Sequence, residues 1–110
     1  MKTETNDRLD LRGEHLRIVM SILSDVIPGV EVRAFGSRVL GTAKRSSDLD
    51  LVVAGASRLD WKTMARLKAA FEQNYLPYRV DLLDWHALPQ HFRPTIARRY
   101  EVIQEATSQE

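Results

Sequence analysis

A run of alternating carboxylate and aliphatic side chains, Asp48-Leu-Asp-Leu-Val-Val53, limits the fold of this 110-residue chain more than any other feature. Successive side chains of a strand point to opposite faces, so Asp48 and Asp50 share one face and the aliphatic side chains share the other. The aliphatic face needs a covering layer, whereas the two carboxylates need solvent or a cation, because buried like charges repel. The run therefore predicts a sheet with helices on one face and a polar site on the other.

The composition fits one small domain, and we expect residues 1–110 to form it, with residues 1–7 lacking regular structure. The hydrophobic fraction of 44% is too high for a disordered chain, and no apolar run approaches the roughly 20 residues of a membrane span. Because the chain has no cysteine, thiolate zinc sites and cysteine nucleophiles are excluded. The first residues include no apolar leader, so we expect a cytoplasmic protein that does not enter the membrane.

Apolar spacing predicts the order of the other elements. The predicted segments are a helix ending near residue 27, a strand over 30–35, a short helical turn to residue 40, a strand over 48–53, a helix over 61–74, a strand over 78–83 and a helix near 92–100. Asp60 and Asp84 are expected to cap the elements that follow them. Residues 102–103 fit either a longer last helix or a short edge strand. The order indicates an α/β (α+β) domain, a small mixed sheet of about three core strands with helices mainly on one face.

A third carboxylate, Asp81, lies in the middle of the predicted strand over 78–83, where aspartate is disfavoured. If that strand lies beside the one over 48–53, Asp48, Asp50 and Asp81 converge. Oxygen ligands without histidine or cysteine suit Mg²⁺ or Mn²⁺, and three carboxylates can hold the two ions that in-line phosphoryl transfer uses. We therefore predict these aspartates to be metal ligands and catalytic residues. Taken singly, each has a simpler interpretation as an exposed strand acid or, for Asp81, a cap or edge residue.

The Gly36-Ser37 turn between a strand and a short helix is the predicted phosphate site. Free backbone N–H groups at such a turn can bind an anion, glycine allows close approach, and the Ser37 hydroxyl adds a donor. Arg38 and Lys44 are the predicted charge partners of a triphosphate. An ordinary strand-ending turn is the alternative. The glycine spacing is that of a P-loop, but Thr42 stands where the P-loop requires lysine.

Charge and aromatic residues narrow the classes of partner. Sixteen basic and fifteen acidic residues give a net charge of +1 and a pI near 8.1, which disfavours direct nucleic-acid binding. No acidic residue lies between positions 32 and 47, whose basic residues are either a local phosphate site or solvated surface charge. We expect Trp61 and Trp85 to pack in the core or under a partner.

The combination is more specific than its parts. Gly36-Ser37, ten intervening residues, Asp48-Leu-Asp50 and a strand-borne Asp81 resemble the nucleotidyltransferase signature of the DNA polymerase β superfamily. The runs over 35–51 and 77–85 resemble the minimal nucleotidyltransferases, or MNT proteins, and the resemblance covers about residues 15 to 103. It implies a polymerase-β-like fold in which the three aspartates bind metal and the Gly36-Ser37 turn holds the nucleotide phosphates.

The same resemblance implies a function. The resemblance to MNT proteins implies that this chain is one member of a pair, the other member being a helical HEPN-type protein encoded nearby. The resemblance implies a Mg²⁺-dependent transfer of NMP, here AMP from ATP, to a hydroxyl, a tyrosine of a HEPN toxin, within a hetero-oligomer. The alternative is a non-catalytic nucleotide-binding antitoxin or regulatory subunit that inhibits its HEPN partner by contact. The intact set of three aspartates favours the enzyme.

Overall fold

The computed structural model describes residues 9–11 and 13–107, so the expectation for residues 1–7 lies outside the described residues. Within them, four strands form one sheet, namely β1 (Val32–Phe35), β2 (Leu49–Val53), β3 (Val80–Asp84) and β4 (Glu101–Gln104), and their order across the sheet is β3-β2-β1-β4. β1 is antiparallel to both β2 and β4, whereas β2 and β3 are parallel. The predicted mixed sheet is confirmed, with one strand more than expected.

The helices connect and cover these strands. They are α1 (Gly13–Val26), the single turn α2 (Ser37–Leu40), α3 (Trp61–Glu72) and α4 (Arg93–Arg98), with 3₁₀ turns at Trp85–Ala87 and Gln90–Phe92 between β3 and α4. Asp60 caps α3 as predicted, since its carboxylate accepts from the N–H groups of Lys62 and Thr63. No helix in the part of the chain that the structure describes is long and apolar enough to cross a membrane.

The aliphatic face of β2 forms the centre of the core, as the alternation predicts. Leu49, Leu51 and Val53 are fully buried, and they belong to one hydrophobic cluster with side chains from α1 and α3. Burial of such aliphatic side chains contributes about 1.5–3 kcal/mol each. This cluster fixes the sheet against its helices, so the carboxylate face is held in one orientation.

The opposite face is open only at one end. Val52 follows Asp50 by two residues and shares its face, yet it is also fully buried. Its register partner on β1, Arg33, stacks on the rings of Trp85 and Tyr100, 5.6 and 4.5 Å from the ring centroids. The polar site is therefore confined to the Asp48–Asp50 end of the strand. Arg33 belongs to this stack rather than to a phosphate cluster.

Several element boundaries differ from the predictions for identifiable reasons. β1 begins at Val32, two residues late, because Val32 pairs with Val53, the last residue of β2. Residues 101–104 form an edge strand against β1, which decides the alternative that the sequence left open. The last helix is correspondingly short, since Arg99 has extended backbone angles that lead into β4.

Candidate nucleotide and metal site

Asp50 and Asp81 lie side by side at the centre of the site. They are direct register partners on the parallel strands β2 and β3, so their side chains project from the same face of the sheet. Asp48 immediately precedes β2 and points to the same face by alternation. The structure thus brings the three predicted carboxylates together on one surface, while their catalytic and metal-binding roles stay predictions.

The proximity of these groups has an electrostatic consequence at Asp50. Partial burial raises the pKa of the Asp50 carboxyl above its ordinary value, and the charges of Asp81 and then Asp48 raise it further. Ionised Asp50 is therefore disfavoured by loss of hydration and by two like charges. A cation placed among the three carboxylates would remove both costs.

The donor set fits Mg²⁺ or Mn²⁺ by its chemistry, since all three groups are hard oxygen ligands. Yet within the described residues no three histidine, aspartate or glutamate side chains form a ready-made metal cage. Instead, Asp48 Oδ2 lies 3.4 Å from Arg79 Nη2. Such an open arrangement suits ions that take further ligands from a bound triphosphate, because Mg²⁺ is commonly held by one or two carboxylates plus phosphates.

Gly36 joins the phosphate turn directly to the carboxylates. Its φ of +81° lies in the left-handed region that favours glycine. A Cβ atom at this position would come 3.1 Å from Asp50 Cγ and would clash with Asp50 Oδ2. Glycine is therefore required by its own backbone angle and by the Asp50 side chain, a second reason that the sequence did not reveal.

Ser37 begins α2 at the same point. The N–H groups of Val39 and Leu40 donate to the Gly36 carbonyl, so the N–H groups of Ser37 and Arg38 precede the first hydrogen bonds of this helical turn. Backbone donors at a helix start, next to a glycine, are a suitable site for phosphate oxygens. The turn and the aspartates therefore form one continuous surface.

Arg38 does not lie at this surface, contrary to the prediction. Its side chain is buried, with 5% of the residue exposed, and its guanidinium donates to carbonyl oxygens of Ser47, Asp10 and Arg45 at 2.8–3.1 Å. It also stacks on the Tyr78 ring, 4.1 Å from the centroid. A guanidinium held in this way cannot reach a phosphate, so we assign Arg38 to the support of the loop over 42–47, which leads into Asp48.

Lys44 remains available as a charge partner, because it lies exposed on that loop. Its backbone is fixed by a hydrogen bond of 2.8 Å from its N–H to Ser47 Oγ and by its carbonyl, which accepts from Arg38. Arg79, the cation beside Asp48, was not among the predicted site residues. The signal was present, since Arg79 precedes Asp81 by two residues and strand alternation gives the two side chains one face.

Comparisons with known proteins show which proteins this chain resembles. Residues 29–109 match the family described as Polymerase beta, Nucleotidyltransferase. The chain is 49% identical over 98 residues to a protein of Haemophilus influenzae named as a probable protein adenylyltransferase, MntA, with 89% of this chain and 86% of that protein covered.

Solved structures share the fold. One, described as a toxin–antitoxin with AMP-PNP, is 25% identical with a TM-score of 0.62, covering 84% of this chain and 74% of that chain. Another, a tri-AMPylated HEPN toxin of Shewanella oneidensis in complex with an MNT antitoxin, is 22% identical with a TM-score of 0.56, covering 83% and 70%. At this lower identity, the second match speaks for the fold alone.

Proposed function

The chain belongs to the polymerase beta nucleotidyltransferase family, and from this premise we propose that it transfers AMP from ATP to a tyrosine hydroxyl of a helical HEPN-type toxin, which it thereby neutralises. Two similarities support the donor and the role: the relative named as a probable protein adenylyltransferase and the toxin–antitoxin structure with AMP-PNP. The partner's identity follows from the resemblance to MNT proteins.

One observation carries the proposal, namely that Asp50 and Asp81 are register partners beside the Gly36-Ser37 turn. A binding module has no need to hold converging like charges, since each carboxylate raises the free energy of the other. An active site that works on a triphosphate needs this arrangement, because cations must lie between carboxylates and phosphate oxygens. This repulsion destabilises the unliganded protein and is removed only when nucleotide and cations are present.

Each group has a role in the proposed step. When bound, two Mg²⁺ ions held by Asp48, Asp50 and Asp81 would neutralise the phosphate charge and favour deprotonation of the acceptor hydroxyl. The N–H groups and hydroxyl of the Gly36-Ser37 turn would hold the β- and γ-phosphates, with Lys44 adding charge. The acceptor oxygen forms a bond to the α-phosphorus as the bond from that phosphorus to the bridging oxygen breaks. Pyrophosphate leaves with the electron pair, and the hydroxyl proton goes to the exposed Asp81 carboxylate.

The test uses ATP labelled at the α-phosphate, Mg²⁺ and the HEPN-type protein encoded beside this chain. We expect label on a tyrosine of that protein, together with loss of its toxic activity. The double variant Asp48→Asn, Asp50→Asn should transfer no label, whereas Asp25→Asn, which changes an exposed acid on α1, should behave as the parent does.

Two outcomes would contradict the proposal. If the parent transfers no label to the partner under these conditions, the chain is not the proposed adenylyltransferase. If the double variant transfers no label but inhibits the partner as well as the parent does, inhibition occurs by contact, and modification is not the antitoxin mechanism.

A further inference from the structure

A groove runs between α3 and the edge strand β3, away from the phosphate turn. It consists of two clefts of about 750 and 400 Å³, which share Lys68 and Leu82 as lining residues. Trp61 lines the larger cleft, and Arg79 and Asp81 line the smaller one. We call this feature the α3–β3 groove. One end of it therefore lies at a predicted catalytic residue.

The groove has the chemistry of a protein-binding surface. Leu82 forms part of its floor, and Met64 and Leu88 line the same wide cleft. At the rim, Trp61 is 73% exposed, so the sequence expectation that it packs in the core is wrong and packing under a partner is the alternative left. A large exposed aromatic side chain beside an apolar cleft is typical of an interaction site.

Helical spacing on α3 extends this surface along the groove. Trp61, Ala65, Lys68 and Glu72 follow one another at intervals of three or four residues and so share one side of the helix. All four are exposed, and each lines one of the two clefts except Lys68, which lines both. A helix of 12 residues is about 18 Å long, which suits about three turns of a partner helix in helix-in-groove packing.

The free charge of the wider cleft is positive. Its two acids are engaged with backbone, because Asp60 accepts from Lys62 and Thr63, and Asp84 accepts from Leu59 and His86 N–H at 2.8 and 2.9 Å. Arg58 and Lys68, in contrast, are exposed at its rim, and no ion pair within the described residues involves either. A partner with acidic side chains would complement them.

We propose that the α3–β3 groove is the docking surface for the acceptor protein, which lays an amphipathic helix with an acidic flank along α3. Its apolar side chains pack on Trp61 and Met64, and its acidic flank lies against Arg58 and Lys68. Docking there places the acceptor along the free edge of β3, on the far side of Asp50 from the Gly36-Ser37 turn that would hold the nucleotide. The Asp81 side chain projects from the face opposite α3, so the acceptor tyrosine must reach round this edge. The identity of the acceptor as a HEPN-type protein rests on the proposed function.

The first experiment measures the affinity of full-length variants for the HEPN-type protein encoded beside the chain. Trp61→Ala and Lys68→Glu should each weaken that affinity by about tenfold or more, and higher salt should weaken the parent more than Lys68→Glu. ATP affinity should stay within about twofold of the parent, since neither residue lies at the phosphate turn. Matched controls are Met20→Ala, an exposed apolar residue on α1, and Arg66→Glu, an exposed cation on α3 that does not line the groove.

The second experiment does not depend on weakened binding. Because the chain has no cysteine, Ala65→Cys and Arg66→Cys each introduce a single thiol on neighbouring positions of α3. Saturating partner should slow maleimide labelling of Ala65→Cys by about tenfold or more and leave Arg66→Cys labelling unchanged.

Failure of the docking proposal and failure of the proposed function give different results. The docking surface would be overturned by unchanged partner affinity in both groove variants, or by the absence of any binding between the partner and the parent. It would also be overturned if labelling of Ala65→Cys slowed when the chain was concentrated on its own, because the groove would then be covered by a second copy of the chain. Protection of Ala65→Cys by the partner without transfer of labelled AMP would uphold the docking surface and overturn the proposed reaction.

Discussion

Gly36 lies directly against the carboxylate of Asp50, so that a Cβ atom at position 36 would come 3.1 Å from Asp50 Cγ and closer still to Oδ2. This contact links the phosphate turn at the end of β1 to the carboxylate pair of β2 and β3. A change on one side of the contact must therefore displace a group on the other side.

Gly36→Ala should reduce both stability and nucleotide binding. A side chain at φ +81° and ψ −156°, a region nearly restricted to glycine, costs about 1–3 kcal/mol, and the clash with Asp50 adds to that cost. The comparison variant is Gly41→Ala, because Gly41 also has a positive φ of +83° but lies in the left-handed helical region, with ψ of 16°, and has no atom within 4 Å of the added Cβ. Chemical denaturation should show a larger loss for Gly36→Ala than for Gly41→Ala, and ATP titration should show loss only for the former. Equal losses of stability would mean that Asp50 tolerates the Cβ.

Asp50→Asn should stabilise the metal-free protein at neutral pH. The folded state raises the pKa of Asp50, so it favours the protonated carboxyl, and this contribution to stability is full at acidic pH and lost as pH rises through the folded pKa. Asparagine keeps the uncharged character at every pH. In EDTA the melting temperature of the variant should exceed that of the parent at pH 7, and the gap should close as the pH falls towards the ordinary value of 3.8. A gap that does not change with pH would show that repulsion at Asp50 is not its cause.

Arg38→Ala should destabilise the loop over 42–47 and thereby the site. The guanidinium donates to the carbonyl oxygens of Asp10, Arg45 and Ser47, which would lose these donors, at a cost of about 1.5–3 kcal/mol. Arg38→Lys should recover only part of this loss, because an ammonium cannot span the same set of acceptors. Arg45→Ala, an exposed change on the same loop, is the control. If unfolding shows Arg38→Ala to be as stable as Arg45→Ala, the supporting role is wrong.

The sequence predicted those parts of the fold that depend on side-chain alternation. Leu49 and Leu51 against Asp48 and Asp50 define the two faces of β2, and that distinction holds in the structure. Residues 102–103 could not be assigned, since two apolar residues fit a helix or a strand equally well. Pairing with β1 decides between them, and pairing with a distant strand leaves no local signal.

The residue types of the site were predictable from the sequence, but the directions in which their side chains point were less so. The spacing of Asp48, Asp50 and Asp81 is enough to place three carboxylates on one face once β2 and β3 are neighbours. Arg38 shows the limit, because its charge suggested a phosphate partner, whereas the carbonyls that it satisfies become neighbours only through the folded loop. A basic residue near a phosphate turn can therefore either bind phosphate or donate to carbonyl oxygens of the protein itself, and the sequence alone does not distinguish these two roles.

Tyr78→Phe removes the hydroxyl group from the ring on which Arg38 stacks and keeps the ring itself. The Tyr78 hydroxyl is buried and has no hydrogen-bond partner in the described residues, so its removal should leave stability at pH 7 equal or higher. Burial and then Asp10 raise the pKa of Tyr78 above 10.0, although Arg38 lowers it. Because the folded state favours the neutral phenol, the parent loses the stability that this group contributes as the pH rises above 10. The variant has no phenol at this position, so it should unfold at a higher pH than the parent in an alkaline titration. If parent and variant unfold at the same alkaline pH, ionisation of Tyr78 does not contribute to the unfolding.

Asp81→Asn separates nucleotide binding from transfer. Asp81 is exposed on the edge strand, with Asp50 between it and the phosphate turn, so its loss should spare ATP binding while it removes the carboxylate nearest the acceptor. Asparagine is nearly isosteric but neither neutralises a cation nor accepts the hydroxyl proton, and transfer should fall by about a thousandfold or more. Titration with ATP and Mg²⁺, labelling of the HEPN-type partner and partner affinity are measured on the same preparations. Partner affinity should fall less than in Trp61→Ala or Lys68→Glu, since Asp81 lines only the smaller cleft of the groove and the wider cleft is intact. Undiminished transfer would remove Asp81 from the mechanism, whereas loss of ATP binding would place it in the nucleotide site instead of beside the acceptor.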